Sequence, residues 1–381
     1  MPSTSNCIDN AMTVLLLSLL FSCVSPSGLA ESDTSNEEST EDYYSGRVID
    51  YTTKIFDPNI QTLLLHSSAS ELEPPIIYLN GAEQIVLRFD DLSENTREMH
   101  YSFEHCTYDW NKSDLQSMDY VEGFNSDIIY DYDFSFNTLT NYTHYQIAFP
   151  NDRIKLTRSG NYIVKIYADG NEKDVLLTAR FMIVEPLSSI EETIRPSSVV
   201  SERMQRQEID LKVQLGGVRS ANPYSEIELV LMQNFRWDNA RSGVKPSFVN
   251  GNTLTFDYQR ELTFDGTNEF RFVDAKSVRY RSARVEDVRL EDNGYHIILA
   301  PDERRAFKNY NFNNDINGRF LIKNDDMSDA HLESDYVYIH FSMPVDAMFG
   351  SGNMYIFGQL SQWILTKDFR LDYNPETNAY E

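Results

Sequence analysis

From Asp50 onward the chain alternates apolar and polar residues with a period of two. Ile85, Leu87 and Phe89 fall on one face of a strand, with Gln84 and Arg88 on the other. Tyr162, Val164 and Ile166 alternate with Asn161 and Lys165; Ile209, Leu211, Val213 and Leu215 alternate with Asp210, Lys212 and Gln214. Successive side chains of a strand point to opposite faces. The pattern therefore sets one face on a core and the other in water, as in antiparallel sheets. Turn chemistry agrees. Asn-Gly or Asp-Gly pairs begin at Asn80, Asp169, Asn250, Asp265, Asn293 and Asn317, and such pairs accept the positive φ that tight hairpins demand. Long stretches of helical period are absent. The expected fold is all-β, built of tandem antiparallel β-sandwich (Ig-like/early-set) domains.

Breaks in the pattern divide the chain. Residues 13–21, Thr-Val-Leu-Leu-Leu-Ser-Leu-Leu-Phe, are long enough for a signal-peptide core and too short to cross a bilayer. Residues 1–30 are thus expected to be a signal peptide, although the first Lys or Arg is Arg47; a start at Met12 is the alternative. Two cleavage readings compete. Leu20-Phe21-Ser22-Cys23 resembles a lipobox, after which Cys23 would carry lipid and tether the chain. Gly28-Leu29-Ala30 fits ordinary signal peptidase, freeing the chain at Glu31. No other stretch approaches about 20 apolar residues, so no transmembrane helix is expected.

Residues 31–44 carry Glu31, Asp33, Glu37, Glu38, Glu41 and Asp42 without a basic residue. They bury too little apolar surface to order themselves and read as a disordered acidic tether. Residues 45–187 read as an N-terminal β-sandwich. Residues 188–207, rich in Ser and Pro after the strand Val175 to Val184, read as a linker. Residues 208–325 form a second β domain. The polar stretch from Asn324 to Asp335 sets off 326–381 as a third sandwich-like unit. That unit stops at Glu381, leaving about half of the ~100 residues a sandwich takes. It reads as incomplete, or as part of the second domain.

Composition narrows the function. Net charge is -26, which repels phosphate backbones and argues against nucleic acid as a partner. Hydrophobic residues at 41% and aromatics at 13% support folded cores over disorder. Of the cysteines, Cys7 and Cys23 lie in or beside the signal. Cys106 is left alone in the folded part, with no disulfide partner and no zinc spacing.

His105 and Cys106 are adjacent, so on a strand they face opposite ways and cannot act as base and nucleophile. Structural roles are expected for Cys106 and Trp110. His100, His105 and His144 show no ligand spacing. With 59 acidic residues, a pair at glycosidase separation carries no information. No phosphate loop, nucleophile elbow or H-E-x-x-H occurs. No catalytic residue, cofactor or metal site is expected.

Several long words between Val86 and Pro186 carry a resemblance. They are LRFDDL (Leu87 to Leu92), SFEHCTYDW (Ser102 to Trp110), DYVEGF (Asp119 to Phe124), SFNTLTNYTHYQIAFPN (Ser135 to Asn151), SGNYIVKIY (Ser159 to Tyr167) and TARFMIVE (Thr178 to Glu185). This region resembles the first domain of the type IX secretion system plug protein family. YVYIHFSMP and the run from Met354 to Glu381 resemble its C-terminal region. The resemblance implies a periplasmic, non-enzymatic protein without cofactor, docked on a large outer-membrane β-barrel translocon. There it would close the periplasmic mouth when no substrate moves. Lys276, Arg279, Arg281, Arg284 and Arg289 form a local basic cluster, the candidate for partner contact. The competing function is a cell-envelope glycan-binding lipoprotein, with Trp363 stacking on sugar beside Tyr355 or Phe357.

Overall fold

The computed structural model describes residues 49–305, 308–345 and 352–381. The expected signal peptide, Cys23 and the tether up to residue 44 lie outside the described residues. The described chain is strands and turns, with helical turns as short as Ser117–Tyr120 and Pro223–Glu226. The all-β expectation holds, with antiparallel pairing dominant. Two compact units emerge: residues 49–132 with 145–268, and residues 133–144 with 269–381.

The first unit contains a β-sandwich. One sheet runs Lys54–Ile55, Val175–Val184, Gly160–Ala168, Met99–Cys106, Ser126–Ile128, and Ile76–Tyr78 pairs in parallel with the end of Val175–Val184. The facing sheet runs Ile60–Ser67, Ile85–Asp91, Thr143–Phe149, Asp131–Phe134. Register decides what points inward. Tyr162 lies opposite Phe181 and His105, and Val164 opposite Ala179 and Phe103. These residues meet Ile85, Leu87, Phe89, Tyr145 and Phe149 in one core. Its centre is aromatic: ring centroids lie 4.8 Å apart for Phe103 and Phe149, 4.9 Å for Phe149 and Phe181, and 5.2 Å for Tyr162 and Phe181. Such rings combine large buried area with tilted or offset contacts.

The outer face of the first sheet departs from the simple alternation. Ile163 is fully buried although it points away from that core, and Cys106 and Trp110 join it. Tyr51 and Trp237 pack over this face. Both faces of the sheet are covered.

The stretch 188–207, expected as a linker, begins with a strand. Ser188–Pro196 pairs antiparallel with Arg206–Leu215 from Ser188↔Leu215 to Pro196↔Gln207. It is an edge strand with its side chains largely exposed, and edge strands tolerate the polar residues and proline that made it look like a linker. Arg206–Leu215 then pairs with Thr253–Phe256 and Thr263–Asp265. Ile209, Leu211, Val213 and Leu215 pack with Leu254, Phe256, Leu262 and Phe264, as their alternation requires.

In the second unit, Val285–Glu291 and Gly294–Leu299 form a hairpin, and Val337–His340 joins in parallel beside Gly294–Leu299. That pairing bridges the expected boundary between 325 and 326, so residues 326–381 do not stand apart. Of the Asn-Gly and Asp-Gly pairs, those at Asp169, Asn250 and Asn293 lie at hairpins. The pair at Asn80 instead separates Ile76–Tyr78 from Ile85–Asp91, which belong to different sheets.

Gly160 shows how tightly the sandwich closes. Its φ is +148°, and a Cβ there would lie 2.3 Å from His105 Nε2. The His105 ring is held by Ser113 Oγ at 2.9 Å and sits edge-on to Tyr162 at 4.9 Å. Gly160→Ala is expected to destabilise the protein by at least roughly 1–3 kcal/mol, the cost of a strained non-glycine residue, measured by urea unfolding.

Candidate functional site

The residues of Ser102–Trp110 organise the outer face of the first sheet. Phe103 and His105 point into the sandwich, Glu104 and Cys106 outward. The strand ends at Cys106, and the chain turns through Thr107–Asn111. Thr107 N donates to Asn111 O at 2.8 Å, Trp110 N donates to Thr107 O at 3.0 Å, and Asn111 Nδ2 donates to Asp109 Oδ2 at 2.8 Å. Trp110 itself adopts φ +64°, a left-handed conformation that is costly for a bulky residue. It buries the indole against the sheet.

Arg180 lies beneath that indole. Glu104, Ile163 and Arg180 form one row across three strands. The Arg180 guanidinium sits 4.3 Å from the Trp110 ring centroid and 5.4 Å from that of Trp237. Its Nε donates to Tyr51 O at 2.6 Å. Among the described residues it forms no ion pair. Burial pushes its pKa down to about 10, still far above neutral, so the cation persists. The two indoles meet edge to face at 4.8 Å. Trp110 and Arg180 belong to the sandwich and Trp237 to the strands that follow it. The stack therefore joins the two parts of this unit. The Tyr108 hydroxyl faces the Glu228 carboxylate across the same joint.

Glu104 is the buried acid of the row. Lys112 Nζ approaches at 2.6 Å and Lys165 Nζ at 3.4 Å, and Tyr51 Oη donates at 3.1 Å. Burial raises its pKa, but these partners outweigh burial and hold it below the ordinary value. Cys106 responds the other way: burial first, then the Glu104 carboxylate, push the thiol up to about 12. A thiol held protonated is a poor nucleophile, and the structural reading of Cys106 and Trp110 fits this geometry.

The five basic residues sit in the second unit. Lys276 lies 3.0 Å from Asp325 and 4.0 Å from Asp274. Arg281 and Arg289 share Asp287 at 2.7 and 2.8 Å. Arg284 pairs with Asp302, which also binds Arg271 at 2.7 Å. Arg279 is exposed and forms no ion pair among the described residues. The cluster is thus largely neutralised in place. Trp363 is packed edge to face against Phe270 at 5.8 Å and Phe357 at 5.6 Å. Gly318, at φ +78°, approaches so closely that a Cβ would lie 2.5 Å from the Trp363 ring. His100 stacks on Tyr167, His105 packs on Tyr162, and His144 stacks on His331. The first three histidines do not converge. Sequence reasoning missed Arg180 and Trp237 because an Arg and a Trp far apart along the chain leave no local motif.

Four outcomes follow from this geometry. Trp237→Ala is expected to cost roughly 1–3 kcal/mol in urea unfolding, from lost cation–π and ring contacts. The double variant with Trp110→Ala should cost less than the sum, because the residues share Arg180. Cys106 should resist iodoacetamide in the native protein at pH 8 and react in urea, read by peptide mass. Glu104 has a folded pKa below the 4.5 of a free glutamate, so it stabilises the fold above pH 4.5, and that contribution fades as pH falls through the folded value. Glu104→Gln should therefore flatten the acid-side fall of the urea midpoint.

Comparison with known proteins places this architecture. A crystal structure of a hypothetical protein from Parabacteroides merdae ATCC 43184 superposes with TM-score 0.82 and 28% identity, over 87% of this chain and 84% of that one. A Pseudomonas fluorescens alkylpurine DNA glycosylase bound to DNA aligns at 10% identity and TM-score 0.20, over 33% of this chain and 30% of that one. A likeness that low bears on neither fold nor function. No curated protein matches the chain. Residues 60–185 match the model of the type 9 secretion system plug protein first domain. The span matched runs from the first long strand of the sandwich to the end of Val175–Val184, and includes Trp110 and Arg180. Residues 60–185 are thus a type 9 secretion system plug protein first domain.

Proposed function

We propose that this protein is a non-enzymatic component of the type IX secretion system that closes the periplasmic mouth of the large outer-membrane translocon barrel while no substrate is in transit. The domain match associates the chain with type 9 secretion and the cell envelope; plugging is the finer step. The observation that carries it is the match of residues 60–185 to the plug protein first domain. The physical character of that domain supports the reading. A plug must hold its shape against a pore, and this domain has an aromatic core and a sheet covered on both faces. The protein reaches the periplasm on its signal peptide, and a lipid on Cys23 would hold it at the outer membrane. In the basic cluster, Arg279 is the cation left for a partner's acidic group. The glycan reading loses support because the Trp363 ring is engaged by Phe270, Phe357 and Gly318.

Affinity capture from mild-detergent extracts of native membranes, read by mass spectrometry, tests the proposal. One very long β-barrel polypeptide in stoichiometric amount is the expected partner, and Arg279→Glu should reduce its recovery. Capture of the protein alone, or with envelope polysaccharide, would overturn the reading.

A further inference from the structure

We propose that His296 and His340 form a two-imidazole site for a divalent transition-metal cation such as Zn²⁺ or Cu²⁺. The inference does not rest on the plug reading. Gly294–Leu299 and Val337–His340 pair in parallel, with His296 opposite Tyr338 and Ile298 opposite His340. His296, Tyr338 and His340 therefore share one face of the sheet, while Ile297, Val337 and Ile339 pack into the core on the other. His296 Nδ1 lies 2.8 Å from His340 Nε2.

The surroundings orient the first ring. Asn293 Oδ1 lies 2.8 Å from His296 Nε2, and the Glu291 carboxylate lies 3.7 Å from the same nitrogen. Two acceptors on that side hold the hydrogen on Nε2, which leaves the Nδ1 lone pair facing His340. A carbonyl or carboxylate behind a histidine is the usual support of a metal-binding imidazole. The Tyr338 ring stacks on His296 at 4.7 Å and fixes its plane. His296 is 8% exposed and His340 is open to solvent.

Two nitrogens at this distance share one proton, and a metal cation takes its place. Tetrahedral zinc bonds would hold the nitrogens about 3.4 Å apart. The exposed His340 side chain can supply that small separation. Positive charge nearby is compensated, since Arg289, opposite His296 on the next strand, binds Asp287 at 2.8 Å. Among the described residues no third His, Cys, Asp or Glu completes a set. Water would fill the remaining positions, and the cation would exchange. Imidazole nitrogen favours zinc, copper and nickel over calcium and magnesium, which seek oxygen.

The test uses the untagged full chain, with Zn²⁺ titrated by calorimetry and Cu²⁺ followed by electron paramagnetic resonance. One equivalent of each is expected, with nitrogen hyperfine coupling on copper and no uptake of Mg²⁺. His340→Ala should lower affinity at least tenfold, and Asn293→Ala by about tenfold, the usual effect of removing such a support. His331→Ala, in the other histidine stack, should leave binding unchanged. Circular dichroism checks that each variant folds. Absence of stoichiometric uptake, or uptake that survives both His340→Ala and His296→Ala, would overturn the proposal.

Discussion

A half-buried guanidinium that forms no ion pair among the described residues has to be held by other means, and the first unit is arranged around that requirement. Arg180 sits mid-strand on a sheet whose inner face is already committed to the aromatic core. Its outer neighbours supply a backbone carbonyl from Tyr51 and the faces of two indoles. An aromatic face attracts a cation more strongly once water is excluded. Trp110 reaches its position only by taking a left-handed backbone. The local strain is thus offset by a contact distant in sequence. Trp237 completes the stack and brings the following strands onto the sandwich. A sheet that would have had one wet face is closed on both.

Pairing governs the charges as well. At a net charge of -26 the chain has acids to spare, and its cations are answered close to home. Arg97 engages both Asp57 and Asp91, Arg195 reaches the fully buried Glu208, and Arg271 and Arg284 converge on Asp302. Pairing of this kind changes how a sequence cluster should be read. Five basic residues within a short span look like a patch. In three dimensions Asp274, Asp287, Asp302 and Asp325 occupy it, two of them from chain segments beyond the cluster. Net charge along the sequence is a poor guide to surface potential when turns bring acids back onto the same face.

The strands were legible because burial imposes the period. Ile85, Leu87 and Phe89, and likewise Tyr162, Val164 and Ile166, are all fully buried as their alternation demanded. Ile163 was not legible, since its burial depends on Trp110 and Trp237 arriving from elsewhere. Ser188–Pro196 was missed for the opposite reason: an exposed edge strand has no apolar face to betray it. The turn pairs told where the chain bends but not whether the flanking strands pair. That depends on sheet membership, which Asn80 and Asn293 resolve differently. His296 and His340 escaped notice because parallel pairing joins residues with a long crossover between them, and no spacing rule spans it.

The words that identify the family are spent inside the molecule. Phe103 fills the core, His105 and Gly160 close the sandwich edge, Glu104 gathers two lysines and a tyrosine, and Trp110 holds the following strands. Of that signature, Tyr108, Phe124, Phe136 and Leu139 keep their side chains exposed. Recognition of a partner therefore has to be read from groups that the fold does not consume. Arg279 is one such group, exposed and in no ion pair among the described residues. The signature accounts for how the domain packs; which partner it meets is decided by the residues that this packing leaves at the surface.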